Sequence, residues 1–232
     1  MEDPKEKETV LEKKRRKFLK YRFLFRLIPF LDFVIVAGSL ALGSEGPPFG
    51  GNVHKDSDFD VIVGAKSGRI FTVRAFCVFV FGVLGLRRKG IDHKLSSSDK
   101  ICFNHFVTSK SYRLSLPYND YWIKLYQNLE PIYGKEEAVR DFFEANNWAP
   151  RTKIFNQKYW ERENFSFVKR FLEFLLIGPI GNFFENFTKK IQTSAIKEGI
   201  KNGVLGYKPR IRYDDEELEF HPDTKRAEGF FK

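Results

Sequence analysis

Cysteine and histidine are scarce in this sequence of 232 residues. It has two cysteines, Cys77 and Cys102, each within an apolar run, and four scattered histidines. These numbers exclude a disulfide-stabilised scaffold, a cysteine-rich zinc fold and a paired-histidine metal motif. Cysteines in apolar runs are typical of small buried residues in a reducing compartment. We therefore predict a cytoplasmic protein.

Long uninterrupted apolar runs are also missing. Residues 75–86 are uncharged, but this run is too short to span a bilayer, and extending it to residue 70 includes Arg74. We therefore predict a buried helix at 70–88. Residues 165–187 are apolar but are interrupted by charges and a Gly-Pro pair, which predicts two amphipathic helices. The charged N-terminus does not resemble a secretory signal.

Positive charge and phenylalanine are abundant. Lys and Arg number 40 against 30 Asp and Glu, and 26 residues are Phe. Such a basic chain favours phosphate-bearing or other anionic partners, and nucleic acid is one of them. Residues 5–28 carry apolar side chains at helical spacing, which predicts a helix packed on the core with a basic outer face. In the alternative interpretation, this helix and the Phe-rich residues 165–187 attach the protein peripherally to a membrane.

The remaining pattern predicts an α+β protein. β-Branched or alternating runs predict strands at 32–37, 58–63 and 100–107, and apolar spacing predicts helices at 118–130 and 135–147. We divide the chain into a basic N-terminal helix (1–29), a core (30–116) and a mainly helical C-terminal region (117–232). The tail of that region is expected to add one strand or helix.

Two carboxylates open the second predicted strand. Asp58 and Asp60 alternate along it and point the same way, with Cα atoms roughly 7 Å apart. Their repulsion makes them poor core residues but good ligands for a divalent cation. Gly38 and Ser39 follow the preceding strand, where glycine permits close backbone approach and serine offers a hydroxyl and an N–H to phosphate. We predict that all four face one cleft; the alternative is an acidic strand end in solvent.

These segments resemble a known family signature. VIVAGS at 34–39, followed by SDFDV at 57–61, is similar to the polymerase-β-like nucleotidyltransferase superfamily over about residues 30–107. The later strand at 100–107 and the LEFHP tail resemble uncharacterised bacterial nucleotidyltransferase-domain proteins. The resemblance implies a small mixed sheet flanked by helices, with a helical C-terminal extension.

The resemblance also implies a reaction. Gly38 and Ser39 would hold the phosphates of a nucleoside triphosphate, with Ser57 and Lys55 as further nucleotide-binding candidates. Asp58 and Asp60 would hold Mg²⁺, or Mn²⁺ in its place. A nucleoside monophosphate would pass to an unknown acceptor with release of pyrophosphate. The alternative is a catalytically impaired module that binds nucleotide, nucleic acid or an anionic surface.

The sequence departs from the family pattern in two places. Eighteen residues separate Ser39 from Asp58, which is a longer spacer than usual, and it carries Lys55 as a candidate charge donor. The third carboxylate expected on a later strand is replaced by Asn104, which cannot act as a base. If the strand register differs, Asp99 or Asp92 takes that position. Enzymatic activity is therefore left open by the sequence.

Overall fold

The computed structural model describes residues 9–43, 53–88, 98–116, 118–152, 154–201 and 210–221. These ranges contain seven α-helices: α1 (Val10–Tyr21), α2 (Gly38–Leu42), α3 (Ile70–Val83), α4 (Asp120–Asn128), α5 (Glu136–Ala145), α6 (Phe167–Leu175) and α7 (Gly178–Lys201). A 3-10 helix, Arg22–Leu27, continues directly from α1.

Seven strands in the described ranges form one sheet: β1 (Leu31–Val36), β2 (Phe59–Ala65), β3 (Ile101–Val107), β4 (Glu130–Gly134), β5 (Glu161–Arg162), β6 (Arg210–Tyr213) and β7 (Glu217–His221). Their order is β5-β4-β1-β2-β3-β7-β6. β1 runs antiparallel to β2 and β4, whereas β2 and β3 are parallel. β7 lies antiparallel between β3 and β6. The predicted mixed sheet flanked by helices is confirmed.

Aromatic residues cover both faces of the sheet. On one face, Phe59 lies 5.0 Å from Phe18 of α1, between ring centroids. On the other face, Phe33 lies 5.3 Å from Phe142 of α5 and sits against Gly64, where any Cβ would collide with its ring. These rings are buried, and burial of apolar area is the main favourable term in folding. The many Phe residues therefore fix the central strands between two helical layers.

Several predicted elements differ in extent. α3 ends at Val83 rather than at residue 88, because Gly85 follows it with a positive φ of 67°. The sequence pattern gave no indication of β4, because Pro131 and Gly134 are unusual within a five-residue strand. The tail forms two strands instead of one element, since the side chain of Asp214 accepts the backbone N–H groups of Glu216 and Glu217 at the turn.

The sheet extends across the boundary that we placed at residue 116. β4 to β7 all come from the region expected to be mainly helical, and they join β1 and β3 at the two sides of the core. Among the described residues, no helix is both long enough and apolar enough to span a bilayer.

Candidate functional site

Gly38 lies directly against Asp60. Gly38 begins α2 with a φ of +60°, which favours glycine, and a Cβ there would stand 2.1 Å from Oδ2 of Asp60. The N–H of the preceding Ala37 also donates to the carbonyl of Asp60 at 2.9 Å. The bend that we predicted as a turn is therefore the start of a five-residue helix. Its first residue touches one of the two predicted metal-binding carboxylates.

The second carboxylate belongs to the same cluster. Asp58 precedes β2 and Asp60 is its second residue, while Cys102 stands opposite Asp60 on the parallel strand β3. One ligand atom from each of the three lies within 4.8 Å of the others. Oxygen and sulfur donors thus converge beside Gly38, and Ser39 follows it as the second residue of α2.

A bulge in β3 determines the third position. The pairing runs from Val61 with Phe103 to Ile62 with His105, so Asn104 is the extra residue. Its Nδ2 donates to Oδ1 of Asp60 at 2.9 Å, which places Asn104 where we predicted the missing carboxylate. Its own Oδ1 is buried and has no hydrogen-bond partner among the described residues.

The same bulge changes the environment of His105. This residue stands in register with Ile62, two residues along β2 from Asp60. Its Nε2 lies 3.1 Å from Glu217 of β7. His105 is therefore held away from the carboxylate pair by its neighbour on the other side of β3.

Arg88 is a member of this site that we did not predict from the sequence. It follows α3 in the chain, and its guanidinium donates to Oδ2 of Asp58. Asp58 therefore has a cationic partner, whereas Asp60 has the amide of Asn104. The sequence shows only a basic residue at the end of an apolar helix. The fold was needed to show that this residue contacts Asp58.

In this cluster the ionised form of Asp60 is disfavoured. Burial, reinforced by repulsion from Asp58, raises the pKa of Asp60 to about 7, and the attraction of Arg88 only partly opposes this. The thiol of Cys102 also has a raised pKa, because it is desolvated and faces the same two carboxylates. Desolvation is the largest cause of both shifts, and repulsion from the neighbouring carboxylates adds to it.

The remaining candidates lie at the edge of the site or outside it. Ser57 accepts the N–H of His54 at 2.9 Å, and the exposed Lys55 uses its carbonyl to accept from Lys14 at 2.5 Å. Asp99 forms ion pairs with Lys14 at 3.0 Å and Lys17 at 2.6 Å, and it is not a member of the cluster of Asp58, Asp60 and Cys102. Asp92 lies outside the described residues.

A cavity of about 710 Å³ opens beside the outer side of α2. It is lined by Arg15, Ala41, the end of α4 with the two residues after it, Arg151 and residues 154–157. Neither Asp58 nor Asp60 lines it. The cavity and the carboxylate pair are thus adjacent to different parts of the same short helix.

Comparisons of the chain with protein-family models, with curated proteins and with solved structures find no match.

Proposed function

We propose that this chain binds a nucleoside triphosphate with Mg²⁺ at the Gly38–Asp60 contact and transfers its nucleoside monophosphate to an acceptor, releasing pyrophosphate. The observation that carries the proposal is the backbone of Gly38 packed against Asp60, with Asp58 in the same cluster. A phosphate-sized group beside Gly38 and Ser39 would be within reach of both carboxylates. This is the arrangement that the family resemblance implies.

The residues present fit a divalent cation. Asp58 and Asp60 supply hard oxygen donors, which Mg²⁺ prefers together with phosphate oxygens. The buried Oδ1 of Asn104, which has no hydrogen-bond partner among the described residues, is a further neutral oxygen next to them. Burial is the main cause of the raised pKa of Asp60, and a bound cation would lower that pKa. Two carboxylates and one amide oxygen provide enough ligands and negative charge for one divalent cation rather than two.

The chain's own residues have separate tasks in this proposal. Gly38 leaves room for a phosphate to approach the backbone, and Ser39 offers its hydroxyl and N–H to a phosphate oxygen. Asp58 and Asp60 orient the reacting group through the cation, which supplies neutralisation of charge at the α-phosphate. Arg88, which donates to Asp58, partly neutralises the charge of the carboxylate pair.

Asn104 restricts the acceptor. An amide cannot take a proton at neutral pH, so the third position does not activate a hydroxyl. An acceptor that is already anionic, such as a phosphate, needs no such base. The proposal therefore favours a phosphate-bearing acceptor over an alcohol.

The Asn104–Asp60 hydrogen bond also favours a second candidate function. If transfer requires a third carboxylate, the same site binds Mg²⁺ and nucleotide without turnover. The two functions share the binding step and differ only in pyrophosphate release.

Calorimetric titration with a non-hydrolysable nucleoside triphosphate tests the shared step. We expect Mg²⁺ to strengthen binding to the wild type and to have no effect on the double variant Asp58→Asn, Asp60→Asn. Gly38→Ala should also lose binding, because its Cβ would collide with Asp60. Gly68→Ala is the control, since Gly68 has a φ of +75° but open space around it. Unchanged binding in the double variant would refute both functions.

Asn104→Asp separates the two functions. Pyrophosphate release by the wild type, with a phosphorylated acceptor supplied, identifies the transferase. Release that appears only in Asn104→Asp identifies the binding module, because the added carboxylate then supplies what transfer needs. Mg²⁺-dependent binding without release in either protein would leave the binding module and exclude the transferase.

A further inference from the structure

The helices α6 and α7 have their polar sides turned inward and their apolar sides turned outward. A helix on a water-exposed protein normally buries its apolar stripe against the core. Here the inward-facing residues include a lysine and two glutamates, while the outward-facing residues are mainly Phe, Ile and Leu. This inverted arrangement needs an explanation beyond packing within the chain.

Polar contacts attach α6 to the sheet. Lys169 is 3% exposed, and its Nζ donates to the carbonyl of Leu31 at 2.7 Å and to Glu163 at 2.6 Å. Glu173, one turn later, accepts the N–H of Phe30 at 2.8 Å. The side of α6 that faces the protein is therefore fixed by hydrogen bonds and charge.

α7 is attached in the same way. Glu185 is buried and accepts the backbone N–H groups of Phe71 and Thr72, at 2.9 and 2.8 Å, at the start of α3. Gln192, two turns further on, donates to the carbonyl of Phe71 at 2.8 Å. These contacts prevent α7 from rotating its apolar side inward, because rotation would bury unpaired polar groups elsewhere.

The outward sides form what we call the apolar outer surface, comprising Phe167, Phe171, Phe174 and Leu175 of α6 and Ile180, Phe183, Phe187 and Ile191 of α7. Each of these side chains is between 46% and 74% exposed. The ring pairs Phe167–Phe171 and Phe183–Phe187 are stacked along their helices. At the corner between the helices, Gly181 packs so closely against the carbonyl of Leu176 that no Cβ fits. Large exposed apolar patches mark contact sites for other apolar material.

Charge identifies what covers this surface. Four basic side chains in residues 165–201 are exposed, whereas the exposed acidic side chain is that of Glu198. The basic ones are Arg170, Lys190, Lys197 and Lys201. At 3.6 residues per turn, Arg170 borders the apolar stripe of α6, and Lys190 and Lys197 border that of α7. A second copy of the chain would bring two basic borders together, which is unfavourable. An anionic bilayer surface satisfies both the apolar stripe and its basic border.

We infer that α6 and α7 lie in the plane of an anionic membrane surface, with the apolar outer surface inserted among the lipid chains and the basic border at the headgroups. No described helix is suited to spanning the bilayer, so the attachment is peripheral. The inference is independent of the proposed nucleotide site, whose residues are on β2, β3 and α2.

Co-sedimentation of the full chain with vesicles tests the inference. We expect binding to phosphatidylcholine vesicles containing about one third phosphatidylserine, and weaker binding to phosphatidylcholine alone. The double variant Phe171→Asp, Phe183→Asp should bind about tenfold more weakly. Leu116→Asp is the control, because Leu116 is 73% exposed, as is Phe183, but lies in a loop outside both helices. Equal binding of both variants, or no binding by the wild type, would overturn the inference.

Two further measurements cover misfolding and self-association. Brominated lipid chains should quench more of the tryptophan fluorescence in Phe183→Trp than in Leu116→Trp. The other tryptophans are the same in both variants, so the difference reports on the introduced residue. Equal quenching would contradict insertion. Sedimentation equilibrium without vesicles should show a monomer. A dimer that Phe171→Asp, Phe183→Asp dissociates would assign the surface to a second copy instead.

Discussion

At the scale of single residues, Asp60 carries the largest electrostatic cost in the candidate site. It is partly buried beside a second carboxylate, and it accepts a hydrogen bond from the neutral amide of Asn104. Its pKa is therefore raised from 3.8 to about 7. Between these values the unfolded chain has lost this proton while the folded chain retains it, so the residue destabilises the fold progressively as the pH rises.

Asp60→Asn should for this reason stabilise the metal-free protein at high pH. We expect its melting temperature to exceed that of the wild type by a few degrees at pH 8. The difference should shrink as the pH falls toward 3.8 and disappear below that value, where the wild-type carboxyl is protonated in both states. Thermal melts across this range, followed by circular dichroism, measure the effect.

Asp99→Asn provides a control of opposite sign. Burial acts to raise the pKa of Asp99, but hydrogen bonds from Lys17 and Lys14 outweigh it and the pKa is lowered. This carboxylate stabilises the fold above its unfolded pKa, and the contribution disappears as the pH falls through its folded pKa. The variant should therefore melt lower than the wild type at neutral pH. Parallel pH profiles for the two variants would contradict this assignment.

Individual residues also show what the sequence can predict about the site. Gly38, Asp58 and Asp60 were predicted from local spacing, because a strand alternates its side chains and a glycine marks a close approach. Cys102, Asn104 and Arg88 depend on the pairing of β2 with β3 and on one bulge. Alternation put Asn104 beside Asp60, whereas the position of His105 depends on the bulge in β3. A single extra residue in a strand is not visible in the sequence pattern.

At the scale of elements, α3 and α7 depend on one another. α3 begins at Ile70 without a side-chain cap from its own N-cap residue, Arg69. Glu185 of α7 supplies that function by accepting the N–H groups of Phe71 and Thr72, together with the hydroxyl of Thr72. A helix usually takes its cap from an adjacent residue, whereas here the cap comes from an element more than a hundred residues later.

Glu185→Ala should therefore destabilise the protein by about 2 kcal/mol, because it leaves buried N–H groups without an acceptor. Glu185→Gln keeps one acceptor oxygen and should cost about half as much. Glu198→Ala removes an exposed acid from the same helix and should change stability by less than about 0.5 kcal/mol. Urea unfolding of the three variants measures these differences. Similar losses for Glu185 and Glu198 would argue against the capping role.

The periodicity of residues 165–187 predicted two amphipathic helices, and α6 and α7 are present. Periodicity does not state which side of a helix faces the protein. In α7 the orientation is determined by the match between Glu185 and the start of α3, which are distant in sequence. β4 could not be predicted from local sequence either. Pro131 and Gly134 are unfavourable in a strand, but pairing with the neighbouring strand β1 places them in the sheet.

At the scale of the whole molecule, the sheet joins segments from both ends of the chain. β3, which carries Cys102 and Asn104, has β2 on one side and β7 on the other. β7 buries Leu218 in the core and pairs Glu219 with His105 across the strands. The candidate site is thus supported by residues far beyond the segment that resembles the nucleotidyltransferase signature.

A chain ending at Lys201 should lose this support. Without β6 and β7, the edge of β3 and the buried ring of His105 are exposed, so we expect loss of a single cooperative melting transition and an increased tendency to aggregate. A chain ending at His221 retains all seven strands and should melt like the full sequence. Calorimetry and light scattering distinguish the two truncations, and a cooperative melt of the shorter one would show that the core folds without the hairpin.

The position of β7 has a consequence for synthesis in the cell. A ribosome releases the glycine, the aspartates and β3 long before residues 217–221, so the emerging polypeptide has an unfinished sheet margin next to the cluster of Asp58 and Asp60. Under the proposed function, nucleotide binding would begin only after translation has passed these residues, and a prematurely terminated product would lack it even with an intact signature motif.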